Sequence, residues 1–324
     1  MKLETSLKRV ILVSALLLAI CYTSAAGQII YVDADANGLN DGTSWDNAYN
    51  YLQDGLADAA SAPKPVELRV AQGVYKPDLG ASQTPGDRYA TFQLIDGVTI
   101  KGDYAGFGVP DPNERDIELY ETILSGDLAG NDFDVNDPRE LYDEPSRSEN
   151  SYHVTTIYEI EETVVLDGFT ITAGNANGYP WEFSSGGGLF NRPRLGGRPI
   201  INNCTFTQNS ARTGGGMFNV ENNSAVNNCT FAGNGADDDG GGIYNAYGSP
   251  EFRACTFIGN SAEYGGGMVS WESNPIIDDC LFISNVARGG GGIYCGNSSP
   301  KVSDCMLADN SAEWGGGGSK LRRR

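Results

Sequence analysis

Between Cys204 and Gly318 the chain writes one pattern five times, and that repetition limits its fold more than any other feature. The copies are CTFTQNSARTGGGMFN from Cys204, CTFAGNGADDDGGGIYN from Cys229, CTFIGNSAEYGGGMVS from Cys255, CLFISNVARGGGGIYC from Cys280 and CMLADNSAEWGGGG from Cys305, at steps of 25, 26, 25 and 25 residues. A period of 20 to 50 residues implies a solenoid, a propeller or another array whose units bury their apolar faces only against one another.

The strands inside each unit decide which. Three residues before each cysteine stands an apolar residue, Ile201, Val226, Phe252, Ile277 or Val302, followed by a polar pair that can bend the chain. The cysteine and the residue two on, Phe206, Phe231, Phe257, Phe282 or Leu307, share one face by the strand period of two. A turn carrying Asn209, Asn234, Asn260, Asn285 or Asn310 follows, and a glycine run leads into a further strand such as Met217-Phe218 or Ile243-Tyr244. This spacing predicts three strands and three turns per unit. A four-stranded propeller blade needs roughly 40 residues, so 25 residues suit one coil of an all-β, right-handed parallel β-helix with like positions about 4.8 Å apart. Stacked apolar residues then form the core, and the asparagines bond their own turn and their neighbours.

The repeats, with the lead-in LDGFTITAGNANG at Leu166–Gly178, resemble secreted bacterial, planctomycete-type β-helix proteins of the pectin-lyase-like superfamily. The GGG-[IM] and F-x-x-N elements are also similar to repeats of chlamydial polymorphic outer-membrane proteins. The resemblance implies the fold. It implies little about activity, since this fold carries lyases, hydrolases, adhesins and passengers alike.

Residues 1–26 have the order of a secretory signal peptide: Lys2, Lys8 and Arg9, then the apolar run Val10–Ile20, then Ser24-Ala25-Ala26. A lipoprotein reading through Cys21 is disfavoured by the bulky Ile20 before it. Removing this segment, with its three basic residues and one acidic residue, takes the formal charge from −20 to −22. That acidity excludes a nucleic-acid partner and is compatible with recruitment of divalent cations. The mature chain has no segment apolar enough to span a membrane, so the expected location is secreted or at the cell surface.

The β-helix domain is expected over residues 27–318. At its start, YVDADANGLNDGTSW places Asp33, Asp35, Asn37 and Asp41 at odd offsets around Gly38, like the opening positions of a calcium loop. Ser44 occupies the closing position where glutamate would be, and similar stretches open related β-helices as a cap turn, so calcium and a structural turn both stand. Residues 44–60 read as an amphipathic helix, with Trp45, Ala48, Tyr49, Leu52, Leu56 and Ala60 on one face and Thr43 and Asp46 spaced as a capping box. Its apolar stripe would plug the open end of the first coil. Residues 127–150 form an acidic insertion, either lining a binding groove or decorating the surface. Residues 319–324 replace the next expected strand with a basic tail, as a truncated end would.

Chemistry is sparse in this pattern. Five of the six cysteines after the signal occupy one repeat position and read as buried free thiols, with Cys295 the more reactive. The single histidine, His153, lies in the alternating stretch SYHVTTIY and reads as structural. Related lyases pair calcium with a basic residue, and Arg194, Arg198, Arg212 and Arg288 are available, but none stands in a recognisable lyase motif. No catalytic residue is assigned. The sequence therefore favours an adhesin-like or glycan-binding scaffold facing an extracellular glycan or surface protein, with a polysaccharide lyase or glycoside hydrolase as the alternative.

Overall fold

The computed structural model describes residues 27–314 except 134, 194 and 195. The signal sequence, the final glycines, the basic tail and Arg194 lie outside the described residues. The fold is a right-handed parallel β-helix: every strand pair joins neighbouring coils in parallel, and the strands fall into four sheets of nine, eight, six and seven strands.

Each regular coil therefore has four strands, not the three expected. In the coil that begins the second repeat they are Ala225–Asn227, Thr230–Ala232, Gly235–Asp239 and Ile243–Ala246, assigned in chain order to the first, second, third and fourth sheet. The third strand was expected to be a turn because its buried positions are small. Ser210 and Ala211, Ala236, Ser261 and Ala262, and Ala287 face inward there, and none of them gives an apolar alternation. Four corners separate these strands, and each holds one left-handed residue: Asn228, Gly233, Gly240 and Tyr247 have φ of 52°, 61°, 68° and 55°. Beside one of those corners, Gly242 is required by contact rather than dihedral, since a Cβ would lie 2.4 Å from the Gly267 carbonyl oxygen of the next coil.

The repeat register is the core. Phe206, Phe231, Phe257, Phe282 and Leu307 pair in succession, and the first four stack with ring centroids 4.8, 5.0 and 4.4 Å apart. Each fully buried ring contributes roughly 1.5–3 kcal/mol. Cys204, Cys229, Cys255 and Cys280 are buried beside them, and all six cysteines among the described residues are free. The asparagine column is a continuous ladder: Asn234 Oδ1 accepts from both N and Nδ2 of Asn209, and Asn260 Oδ1 accepts likewise from Asn234. A second ladder, Asn191 to Asn219 to Asn245, runs inside the fourth sheet and gives way to Ser270 and then Cys295.

The capping helix is shorter than its stripe suggested, spanning Leu52–Ser61 and burying Leu52, Leu56 and Ala59 against the end of the core. Residues 44–51 are held otherwise. Tyr49 bridges to Val32, with the Tyr49 N–H bonded to Tyr31 and the Asp33 N–H to Tyr49. These bonds pull the segment onto the sheet edge, and the expected capping box does not form: Thr43 instead donates its hydroxyl to Asp41.

The insertion 127–150 stands between the second-sheet strand Thr122–Ser125 and the fourth-sheet strand Thr155–Tyr158, where a third-sheet strand would be; the third sheet begins only at Asn175. The insertion folds over the third sheet, placing the Pro138 carbonyl oxygen against Gly235. Its buried Arg147 reaches the Gly174 and Gln208 carbonyls at 3.2 and 2.7 Å. No helix among the described residues is long and apolar enough to cross a membrane.

Candidate functional site

On the outside of the fourth sheet, strand alternation places Phe190, Phe218 and Tyr244 in one outward column while Leu189, Met217 and Ile243 face the core. Their rings stack at 5.4 and 5.5 Å. A single turn of 3-10 helix, Trp181–Ser184, lays the Trp181 indole across this column, 6.1 Å from Phe190 and 5.9 Å from Phe218. Trp181 thereby buries Phe218 while remaining 45% exposed itself, and Tyr247, at the next corner, is 55% exposed. Trp181, Phe218, Tyr244 and Tyr247 wall a hollow of about 450 Å³ with Arg192, Arg212, Glu221, Asp238 and Asp239 on its margins. Three hollows of larger volume, about 610 Å³ beside the capping helix, 500 Å³ on the third sheet and 470 Å³ around Glu118, Glu121 and Thr205, have mostly small or polar linings and no tryptophan.

The one irregular repeat step supplies the acidic side of this groove. In the 26-residue coil the third-sheet pairing runs from Ala211 opposite Ala236 to Thr213 opposite Asp239, so one extra residue is accommodated as a bulge. The bulge carries Asp237-Asp238-Asp239 and re-aims it, as bulges beside binding sites do. Asp238 accepts from Arg212 Nε at 2.6 Å, and Glu221 from Arg192 Nη2 at 3.1 Å. Arg192 also lies over the Trp181 ring at 5.4 Å. Asp239 has no ion-pair partner among the described residues. Burial, then the charges of Asp238 and Glu263, push its carboxyl up to about 6. Burial, with Asp239 next, pushes the Tyr244 hydroxyl up to about 12. The groove thus offers flat aromatic faces for the apolar face of a ring, with charged and neutral hydrogen-bonding groups at the edge.

Sequence reasoning missed this groove, although the irregular step and the three consecutive aspartates marked its location. Of the described residues it did single out as candidate ligands or bases, Arg212 lines the groove and the others are placed elsewhere. Asp33 is buried and accepts from the backbone N–H groups of Asp35 and Phe107 at 2.9 and 2.6 Å, while Asp41 accepts from Thr43. Asp33, Asp35 and Asp41 do not converge: among the described residues, three acidic side chains meet at ligand spacing only at Asp127, Asp132 and Glu149. Of the arginines, Arg212 lines the groove, Arg198 pairs with Glu251, and Arg288 pairs with Glu263. Cys295 is the exposed cysteine, yet partial burial of its sulfur holds the thiol above its ordinary value. Access, not activation, sets it apart.

His153 lies under the groove, with its ring 5.2 Å from Phe190 and Nδ1 3.0 Å from the Gly186 carbonyl oxygen, to which it donates. Burial lowers its pKa to about 4, so it is neutral at physiological pH. The folded value lies below the unfolded value of about 6.5. The stability tied to neutral His153 is therefore complete above pH 6.5 and is lost as pH falls towards 4, by about 3 kcal/mol. Buried Asp103, raised to about 7, acts in the opposite sense, so the effect is read as a difference between variants. Urea melts at pH 7 and pH 4 are expected to show a larger acid loss for the unmutated chain than for His153→Gln; equal losses would contradict a buried neutral imidazole.

Residues 185–321 match a family model described as a right handed beta helix region. No curated protein matches the chain. Among solved structures, a rhamnogalacturonan lyase is similar at 12% identity and a TM-score of 0.42, covering 87% of this chain and 68% of that one. Pectin methylesterase PemA from Erwinia chrysanthemi is similar at 10% identity and a TM-score of 0.35, covering 82% and 80%. Likeness at this level carries nothing about chemistry.

Proposed function

We propose that this chain is an exported β-helical scaffold that holds a glycan in the groove under Trp181 and does not turn it over. The observation that carries this reading is the exposed indole set on a rigid column of stacked rings beside the one bulged strand among the described residues of the strict repeats. Trp181, Tyr244 and Tyr247 line one hollow, and aromatic rings so placed can take the apolar side of a pyranose at low entropic cost. Glycoside hydrolysis needs two carboxyl groups flanking the scissile bond. Here Asp238 and Glu221 are tied to guanidinium groups, which leaves Asp239 alone.

Charge argues for the class of sugar. Both groove arginines are neutralised by their partners, and the chain carries a formal charge of −20, so a polyuronate meets net repulsion while a neutral or amino sugar does not. Export rests on the order of residues 1–26, and the likeness of the repeats to those of bacterial surface proteins supports the same placement.

Binding is tested by titrating the mature protein with neutral, amino and uronic oligosaccharides while following tryptophan fluorescence. The expected result is saturable binding of neutral or amino sugars, weakened about tenfold in Trp181→Ala, the scale of one aromatic contact. Unsaturated products or new reducing ends that vanish in Asp239→Asn would instead place the chain among the enzymes.

A further inference from the structure

The insertion 127–150 contains a second feature, independent of the groove. Asp127, Asp132 and Glu149 each bring a carboxylate oxygen to within 4.8 Å of the others. Acidic residues gather on many surfaces without consequence, but here buried oxygens lack partners. Asp132 Oδ1, Glu149 Oε2 and Asn150 Oδ1 are inaccessible to solvent and accept no hydrogen bond. Asn150 is fully buried, and its amide lies against the cluster, with Nδ2 donating to Asp132 Oδ2 at 2.9 Å and to the Ala173 carbonyl at 2.7 Å. A buried acceptor left unpaired costs about 1–3 kcal/mol, more for a charged group, so three in one loop call for a shared partner.

The local cation, Arg147, meets only part of this demand, and its own Nε is a buried donor without a partner. Arg147 Nη1 reaches Asp132 Oδ2 at 2.9 Å, the oxygen that Asn150 also uses, and its other hydrogen bonds go to the Gly174 and Gln208 carbonyls. Asp127 Oδ1 is fixed in direction by the Gly130 and Asn131 N–H groups at 2.6 and 3.1 Å, and Glu149 Oε1 by the Ala129 N–H at 3.3 Å. Asp127 Oδ2 also accepts from the Asp132 N–H at 3.3 Å, so only Asp132 and Glu149 are held through one oxygen while the other goes unpaired. Burial raises both Asp132 and Glu149 above the usual carboxylate range, as expected for acids desolvated without full compensation.

We propose that Asp127, Asp132, Glu149 and the Asn150 carbonyl form a calcium site that fastens the insertion to the coil stack. The donors are all oxygen, which suits a hard cation and not zinc. Two oxygens on one calcium ion lie no more than about 5 Å apart, twice the calcium–oxygen distance, and the spread of the three carboxylates falls inside that limit. Magnesium needs a tighter, near-octahedral set and keeps its own waters. Asn150 joins the site to the stack through Ala173, and Pro138 of the same insertion packs against Gly235 at the start of the bulged strand.

Calorimetric titration of the chelator-stripped mature chain with calcium tests this. One ion should bind per chain. Glu149→Gln, which keeps the side-chain size, should weaken binding at least about tenfold through loss of ligand charge, and calcium should slow proteolysis within 127–150 in the unmutated chain only. Asp35→Ala should bind as the unmutated chain does. Asp127→Asn provides a second variant, and matching circular dichroism spectra in chelator establish that either has folded. No heat at millimolar calcium, binding unchanged in both site variants, or binding abolished by Asp35→Ala would each overturn the assignment.

Discussion

Phe257→Asp is expected to abolish the folded state. Phe257 is fully buried, with Phe231 stacked 5.0 Å away on one side and Phe282 4.4 Å away on the other, and Phe252 set edge-on at 6.5 Å. Removing the ring forfeits about 3–5 kcal/mol in transfer and cavity terms. The carboxyl left in its place meets apolar walls, which adds a desolvation penalty of at least several kcal/mol or forces protonation. Typical domains hold only about 5–15 kcal/mol in total, and a solenoid passes each coil's stability to its neighbours. Circular dichroism and thermal melts should show no cooperative transition for Phe257→Asp, a lowered one for Phe257→Leu, and an unchanged one for the exposed control Lys301→Gln. A melting temperature for Phe257→Asp equal to that of the unmutated chain would remove the inward assignment of the whole column.

The asparagine ladder should be nearly as sensitive. Asn260 Oδ1 accepts from N and Nδ2 of Asn234, its own Nδ2 donates to the Phe231 carbonyl at 2.8 Å and to Asn285 Oδ1 at 2.9 Å, and the residue is fully buried. Asn260→Leu keeps the approximate size and leaves several buried groups unpaired, at about 1–3 kcal/mol each. We expect a loss of about 3 kcal/mol or more by denaturant unfolding. Asn310→Leu should cost less, since among the described residues its Nδ2 donates to the Phe282 carbonyl alone and the residue retains some solvent contact. Equal losses at the two positions would mean that the ladder is not cooperative along the axis.

The same stacking explains what could be seen in the sequence. A residue whose neighbour is its own copy 25 positions away is constrained by that copy, so Cys229, Phe231 and Asn234 announced their roles through repetition. The third sheet gave no such signal because Ser261-Ala262 and Ala287 fill its inner face with side chains too small to mark a period. The helix start was misplaced because Tyr49 had a stronger long-range partner, Val32, than its local spacing disclosed. Both candidate sites escaped for a related reason. Trp181 reaches the groove from a non-repeating turn, and Asp132 meets Glu149 across seventeen residues of insertion, so neither pairing is periodic.

The register itself has a consequence for how such a chain can change. Strand pairing between regular coils joins each residue to its counterpart one repeat away, so deleting or duplicating a complete coil brings like against like and leaves no mismatched seam. Recombination between repeats is then a far gentler event than many point substitutions. The 26-residue coil is the exception in content but not in seam: its loss would erase Asp237-Asp238-Asp239 and Tyr244 while Phe206 came to rest on Phe257. Lineages built this way can gain, lose or relocate a binding surface by unequal crossing-over, with the architecture untouched.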